Sequence, residues 1–136
     1  MKKTLTLLGL LLVAAISFSF ESITDVKTSL YEELNALRSN KGLNGVTYNM
    51  SLEQSAQNWV YQLSQDNVTH DLKRSTGQFK GEVILMYEGE LRSERLLSEF
   101  MNSPSHKQII LNSDYHKVGI GIKRTEGANY VVIRFI

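Results

Sequence analysis

The chain has 136 residues, with 15 lysines and arginines against 14 aspartates and glutamates, a net charge of +1 and no cysteine. Charges so nearly balanced give no electrostatic reason to expect nucleic acid or an anionic membrane as partner. The missing thiols exclude a cysteine nucleophile, a thiolate metal site, disulfides and a lipid anchor on cysteine.

Lys2 and Lys3 precede an almost unbroken apolar run over residues 5–16. Ser17-Phe18-Ser19 then offers the small-x-small pattern that a signal peptidase accepts, with Ala15-Ile16-Ser17 as the alternative. The run is shorter than the roughly 20 residues that cross a bilayer comfortably. The expectation is a cleaved signal peptide at 1–19, a secreted, extracellular or periplasmic location, no transmembrane span after its removal, and one domain over 20–136. Loss of Lys2 and Lys3 turns the net charge from +1 to −1. A domain of this size can hold itself together by its core alone. Asn49-Met50-Ser51 and Asn67-Val68-Thr69 match the N-glycosylation triplet and read as chance occurrences.

Val26, Leu30, Leu34 and Leu37 recur at helical spacing and predict a first helix with one apolar stripe. Glu32, Glu33, Arg38 and Lys41 fall elsewhere around it; Thr24 or Asp25 can cap its start and Gly42 end it. A turn-rich connection follows, with an extended piece around Thr47-Tyr48. Ser51 with Gln54 fits a capping box for a second helix, on which Ala56, Trp59, Val60 and Leu63 form an apolar face. Trp59 reads there as a core anchor. From Gln65 to Lys80 periodicity disappears, in a polar loop that carries His70-Asp71, Lys73, Arg74 and Gly77. A mostly apolar strand runs from Gly81 to Tyr87. Glu82 at its entry needs either an exposed position or a partner.

A third helix is expected from Ser93 to Met101. Ser103 as N-cap and Pro104 at the first helical position start a fourth, with His106 in its first turn. Val118-Gly119-Ile120-Gly121-Ile122 alternates with period two, and its two glycines on one face predict the close approach of another backbone. Gly127 turns the chain into the run 130–136, giving an antiparallel hairpin. Helices first and strands mostly late argue an α+β layered domain.

Two histidines and a glutamate, His70, Glu82 and His106, suit a divalent ion such as zinc, which takes imidazole nitrogen and carboxylate oxygen in a compact shell. Their wide separation in sequence gives no local ligand spacing. The partial positive charge of a helix start disfavours protonated His106 and leaves a neutral imidazole. The competing reading makes each histidine a surface or capping residue. His116, beside Lys117, reads as solvent-facing; Tyr87 and Tyr115 read as covers of a core edge. There is no G-x-S-x-G elbow and no H-E-x-x-H. Glu82 beside a histidine has the chemistry to activate water.

In family order, several of these segments resemble the CAP superfamily, or SCP domain, of cysteine-rich secretory proteins, insect-venom antigen 5 and plant pathogenesis-related proteins, in its short bacterial form. Leu34-Asn35, Arg38 and Gly42-Leu43 resemble its first-helix pattern, and Leu52, Ala56 and Trp59-Val60 its second. Gly81-Glu82-Val83-Ile84 resembles G-E-N-I, with Val83 in place of asparagine. Phe100-Met101-Asn102-Ser103-Pro104-Ser105-His106 resembles W-M-N-S-x-x-H. Asn112 and Val118-Gly119-Ile120-Gly121 resemble the family's tail. The resemblance runs from Leu34 to the C-terminus and implies a three-layer α-β-α sandwich with a central antiparallel sheet.

It also implies a cleft of two histidines and two acids that binds divalent ions in some members, with His70, Glu82 and His106 as three of the four. The fourth acid has no match. Ser103, Pro104 and Ser105 stand there, and Glu99 lies one helical turn off. The function implied is binding, of a divalent ion, a small apolar ligand such as a lipid or sterol, or a surface partner. A hydrolase using His70, His106 and Glu82, and a structural or adhesive domain, are the alternatives.

Overall fold

The computed structural model describes residues 21–72 and 78–136, so the signal read at 1–19 and Lys73, Arg74 and Gly77 lie outside the described residues. Within them the chain runs α1 (Ile23–Asn40), β1 (Thr47–Tyr48), α2 (Met50–Val60), β2 (Gly81–Tyr87), α3 (Ser93–Met101), α4 (Pro104–Ile110), β3 (Lys117–Arg124) and β4 (Asn129–Phe135). The strands form one sheet in the order β1-β3-β4-β2. β4 pairs antiparallel with both β3 and β2. The sheet is mixed rather than wholly antiparallel, because the two-residue β1 lies parallel to β3 at the edge. This short piece arrives from α1 without a hairpin, so nothing forces it to reverse direction against β3.

Side-chain alternation along the strands divides the core in two. Val83, Val118, Ile120, Ile122, Val131, Ile133 and Phe135 point to one face and pack with Val26, Leu30 and Leu34 of α1, Leu96 and Phe100 of α3 and Ile110 of α4. Ile84, Tyr130 and Val132 point to the other and pack with Ala56 and Val60 of α2 and with Leu63. The result is the α-β-α sandwich, with α2 alone on one side.

Glycine spacing in β3 sets how close α2 comes. A Cβ on Gly119 would lie 2.2 Å from the Glu53 backbone nitrogen, and one on Gly121 would lie 2.6 Å from the Ala56 carbonyl carbon. The helix rests directly on the strand backbone, as the paired glycines predict. Gln57 then bridges the layers: its Nε2 donates to Ile122 O at 2.8 Å and its Oε1 accepts from Ile122 N at 3.0 Å.

The starts of two helices correct local expectations. α1 starts just before Thr24 and Asp25, at Ser22, whose hydroxyl accepts from Asp25 N at 3.1 Å; the earlier start lets Ile23 pack on the core. Gly42, at φ +74°, ends α1 as expected, with Leu43 N donating to Arg38 O and Gly42 N to Ser39 O. α2 starts at Asn49, not Ser51: Asn49 Oδ1 accepts from Leu52 N at 2.9 Å. Asn49 N also donates to Val118 O, so the pairing of β1 with β3 fixes which residue becomes the cap. α4 starts as predicted, with the Ser103 hydroxyl accepting from His106 N.

Arg38 is a third correction. Read as lying off the apolar stripe of α1, it is nonetheless fully buried. Its guanidinium donates to Asn44 O at 3.0 Å, Ile110 O at 2.8 Å, Asn112 O at 2.9 Å and Tyr115 O at 3.4 Å. Two of these lie at the end of α4, where the last turn leaves carbonyls without helical partners. Arg38 satisfies them from across the core and ties α1 to α4. Burial pushes its pKa down from the ordinary value; the four carbonyls favour the charged form, which carries all the donors they use.

Candidate functional site

β2 is an edge strand, and its first residues lie where the loop after α2 and the start of α4 come together. A side chain on Gly81 would meet Tyr115, whose hydroxyl lies 2.5 Å and whose ring lies 2.7 Å from where a Cβ would sit. Tyr115 itself stacks on Phe135, with ring centroids 5.3 Å apart, so it covers a core edge as predicted. Glu82 follows, pointing to the α2 face, and is only 1% exposed.

Burying a carboxylate costs several kcal/mol unless it is paired and fully hydrogen-bonded. The partner is Arg134, directly opposite in the β2–β4 register. Arg134 Nε donates to Glu82 Oε2 at 2.8 Å, Arg134 Nη2 meets Asp71 Oδ2 at 3.0 Å, and Nη1 donates to both oxygens of Ser55 on α2. The guanidinium lies over the Phe79 ring, 4.1 Å from its centroid. The other carboxylate oxygen, Glu82 Oε1, accepts from Asp71 N at 3.2 Å and lies 2.9 Å from His70 Nδ1.

This network fixes the histidine. A carboxylate facing a guanidinium acts as acceptor, so His70 Nδ1 carries a proton and donates it to Glu82, and the tautomer with its lone pair on Nε2 is the one that can ligate. The His70 side chain is 54% exposed, while the glutamate that orients it is not.

His106 approaches from α4, on the opposite layer, with its ring edge-on to Phe100 at 5.4 Å between centroids. Its Nδ1 is buried and makes no hydrogen bond. Burial, and then the nearby charge of His70, pushes its pKa down from the ordinary histidine value. The direction agrees with the neutral imidazole read from the sequence; the cause is desolvation rather than the helix start. That His70 acts on His106 puts the two histidines within electrostatic reach, while His116 is exposed.

Among the described residues no three histidine, aspartate or glutamate side chains converge as a metal shell. Both Glu82 oxygens are engaged, which leaves two imidazoles as available donors. The pairing of His70 with a buried carboxylate is the outer-shell arrangement that orients metal-binding histidines. The unpaired buried nitrogen of His106 is the kind of atom that seeks a partner. The donor set thus fits an ion held by two imidazoles and completed by water, and does not fit one enclosed by protein.

Trp59, expected in the core, is half-buried. It packs on the α2-side cluster and donates from Nε1 to Thr69 O at 3.0 Å, holding the chain just before His70. Arg134, Asp71 and Ser55 received no role from sequence. One signal for Arg134 was present: β2 and β4 each carry a single charge at the same alternation parity, Glu82 in one and Arg134 in the other.

The sequence model of the Cysteine-rich secretory protein family, CAP, matches residues 31–135. An uncharacterized protein of Borreliella burgdorferi is 28% identical over 149 residues, covering 99% of this chain and 96% of its own. The structure of an outer surface protein from Borrelia burgdorferi superposes with a TM-score of 0.70 at 26% identity, covering 86% of this chain and 96% of that one. The crystal structure of NaASP2 with Zn2+ shares the fold at 16% identity, with a TM-score of 0.66 over 81% of this chain and 78% of that one.

Proposed function

The chain belongs to the cysteine-rich secretory protein (CAP) family, and on that premise we propose that it acts outside the cell by binding a divalent cation between His70 and His106. The observation that carries this reading is the buried Arg134–Glu82–His70 relay, which holds an exposed imidazole in one tautomer beside a second imidazole whose Nδ1 is unpaired. His70 and His106 would be the ligands and Glu82 the residue that orients His70. The cation would supply a positive centre able to hold an anionic or carbonyl group of a partner. An extracellular place accords with the name of the Borrelia burgdorferi relative, an outer surface protein, and with the signal read at 1–19. Among the described residues no helix is long and apolar enough to cross a membrane.

Glu82 is poorly arranged to activate water, since proton abstraction needs a free carboxylate oxygen within reach of the water and both of its oxygens are taken. Binding is therefore favoured over hydrolysis. A small apolar ligand has support from a hollow beside His70 of about 520 Å³, walled by Trp59 and by Leu72, which is 90% exposed.

Isothermal titration with zinc tests the cation. The wild-type protein is expected to bind one ion, and His106→Ala to weaken it by about tenfold or more, as loss of one of two ligands requires. Equal affinity in the two proteins removes the site.

A further inference from the structure

We infer that the outer face of α2 carries a second binding site, distinct from the histidines, for a neutral, hydroxyl-rich ligand of the oligosaccharide class. A groove of about 480 Å³ runs along this face, within the roughly 300–1,000 Å³ of small-molecule clefts. Its rim carries Gln54 and Asn58, exposed amides one turn apart on α2, and the exposed amide of Gln62 in the turn that follows the helix. Its wall is Trp59, and its floor is the Arg134–Asp71 ion pair with Ser55.

The informative feature is that α2 presents no exposed charge to the groove. From Asn49 to Gln62 the only ionisable carboxylate or base is Glu53. Glu53 faces away, receiving the Tyr48 hydroxyl and lying 3.6 Å from Lys27 Nζ. A merely solvated helix face in this protein looks different: α3 exposes Glu94, Arg95 and Glu99. Lys, Glu, Arg and Asp are the usual occupants of such positions.

The chemistry of the lining selects its ligand. Amide side chains both donate and accept, which matches hydroxyl groups that do the same. An indole offers a broad apolar surface for the C–H face of a sugar ring. The Trp59 N–H is already committed to Thr69 O, which steadies the ring and leaves no indole donor to satisfy. The Arg134 charge is buried and neutralised by Asp71 and Glu82, so among the described lining residues an anionic ligand would meet no open cation.

Trp59 is the sole tryptophan and walls both this groove and the hollow beside His70, so its fluorescence reports a ligand at either place and Asn58→Lys, on the groove alone, tells the two apart. The full-length protein is titrated with chitotriose, cellotriose and maltotriose at millimolar concentration, and with a trimer of uronic acid. A saturable change in emission with at least one neutral trisaccharide is expected. Asn58→Lys should lose that affinity by about tenfold, while Glu99→Lys on α3 and His106→Ala leave it unchanged. No saturable change with any neutral trisaccharide overturns the proposal, as does a uronic acid trimer that binds equally well. Loss of binding in His106→Ala would likewise overturn it, by placing the sugar at the histidines. The zinc titration is read separately, so either site can fail without the other.

Discussion

Arg134 and Glu82 are 2% and 1% exposed, and each is the other's main reason for being tolerated there. Breaking such a pair from one side leaves an uncompensated buried charge and typically costs about 3–5 kcal/mol. Arg134→Ala is therefore expected to lower the unfolding free energy from urea titration by that order, and Glu82→Gln to fall short of it because an amide keeps one acceptor. His106 gives a pH prediction. Its native pKa is lowered by burial and by His70, so between that value and its unfolded pKa of about 6.5 the unfolded chain binds more protons. Its contribution to stability is fully present above that unfolded value and is lost as pH falls below it. Urea midpoints at pH 7.5 and 5.5 should show this drop in wild type and a smaller one in His106→Gln. The sequence could nominate His70, Glu82 and His106 because rare residue types in motif-like settings stand out. It could not show that Arg38 and Arg134 are buried, because a charge on a helix or strand reads outward until its partners are known, and theirs come from β2, α2, the end of α4 and the loops after α1 and α2.

Contact between α2 and β3 depends on two missing side chains. Gly119→Ala puts a methyl carbon 2.2 Å from helix backbone; α2 must lift, and overpacking of this kind costs about 1–3 kcal/mol or more. Because Ser55 meets Arg134 from the same helix, the substitution should also disturb the Glu82 relay, visible as a shift in the His70 ring NMR signals. The caps make a finer test. Asn49→Ala should lose about 1 kcal/mol in urea unfolding, and Ser51→Ala much less. Element positions were largely legible, since periodicity in β2, α3 and the β3–β4 hairpin survives folding unchanged. The start of α2 was not, because Asn49 and Ser51 both have capping chemistry and the register of β1 against β3 decided between them.

The layered architecture follows from one arrangement of strands: β4, latest in sequence, lies between β3 and β2. β2 and β3 never pair with each other, so each depends on β4 for its antiparallel hydrogen bonds. A chain ending before Asn129 is expected to lack the near-ultraviolet circular dichroism of packed aromatic rings, even where its helices persist. Long-range pairing of this sort is slow, because loop closure must precede the contacts that reward it. The timing of assembly follows. A ribosome releases residues from the N-terminus onward, so the helices and β2 emerge with no template to zip against. His70 meets Glu82 in an unlocked state until Arg134 arrives, and the geometry that makes the histidine useful is thus among the last things this protein acquires.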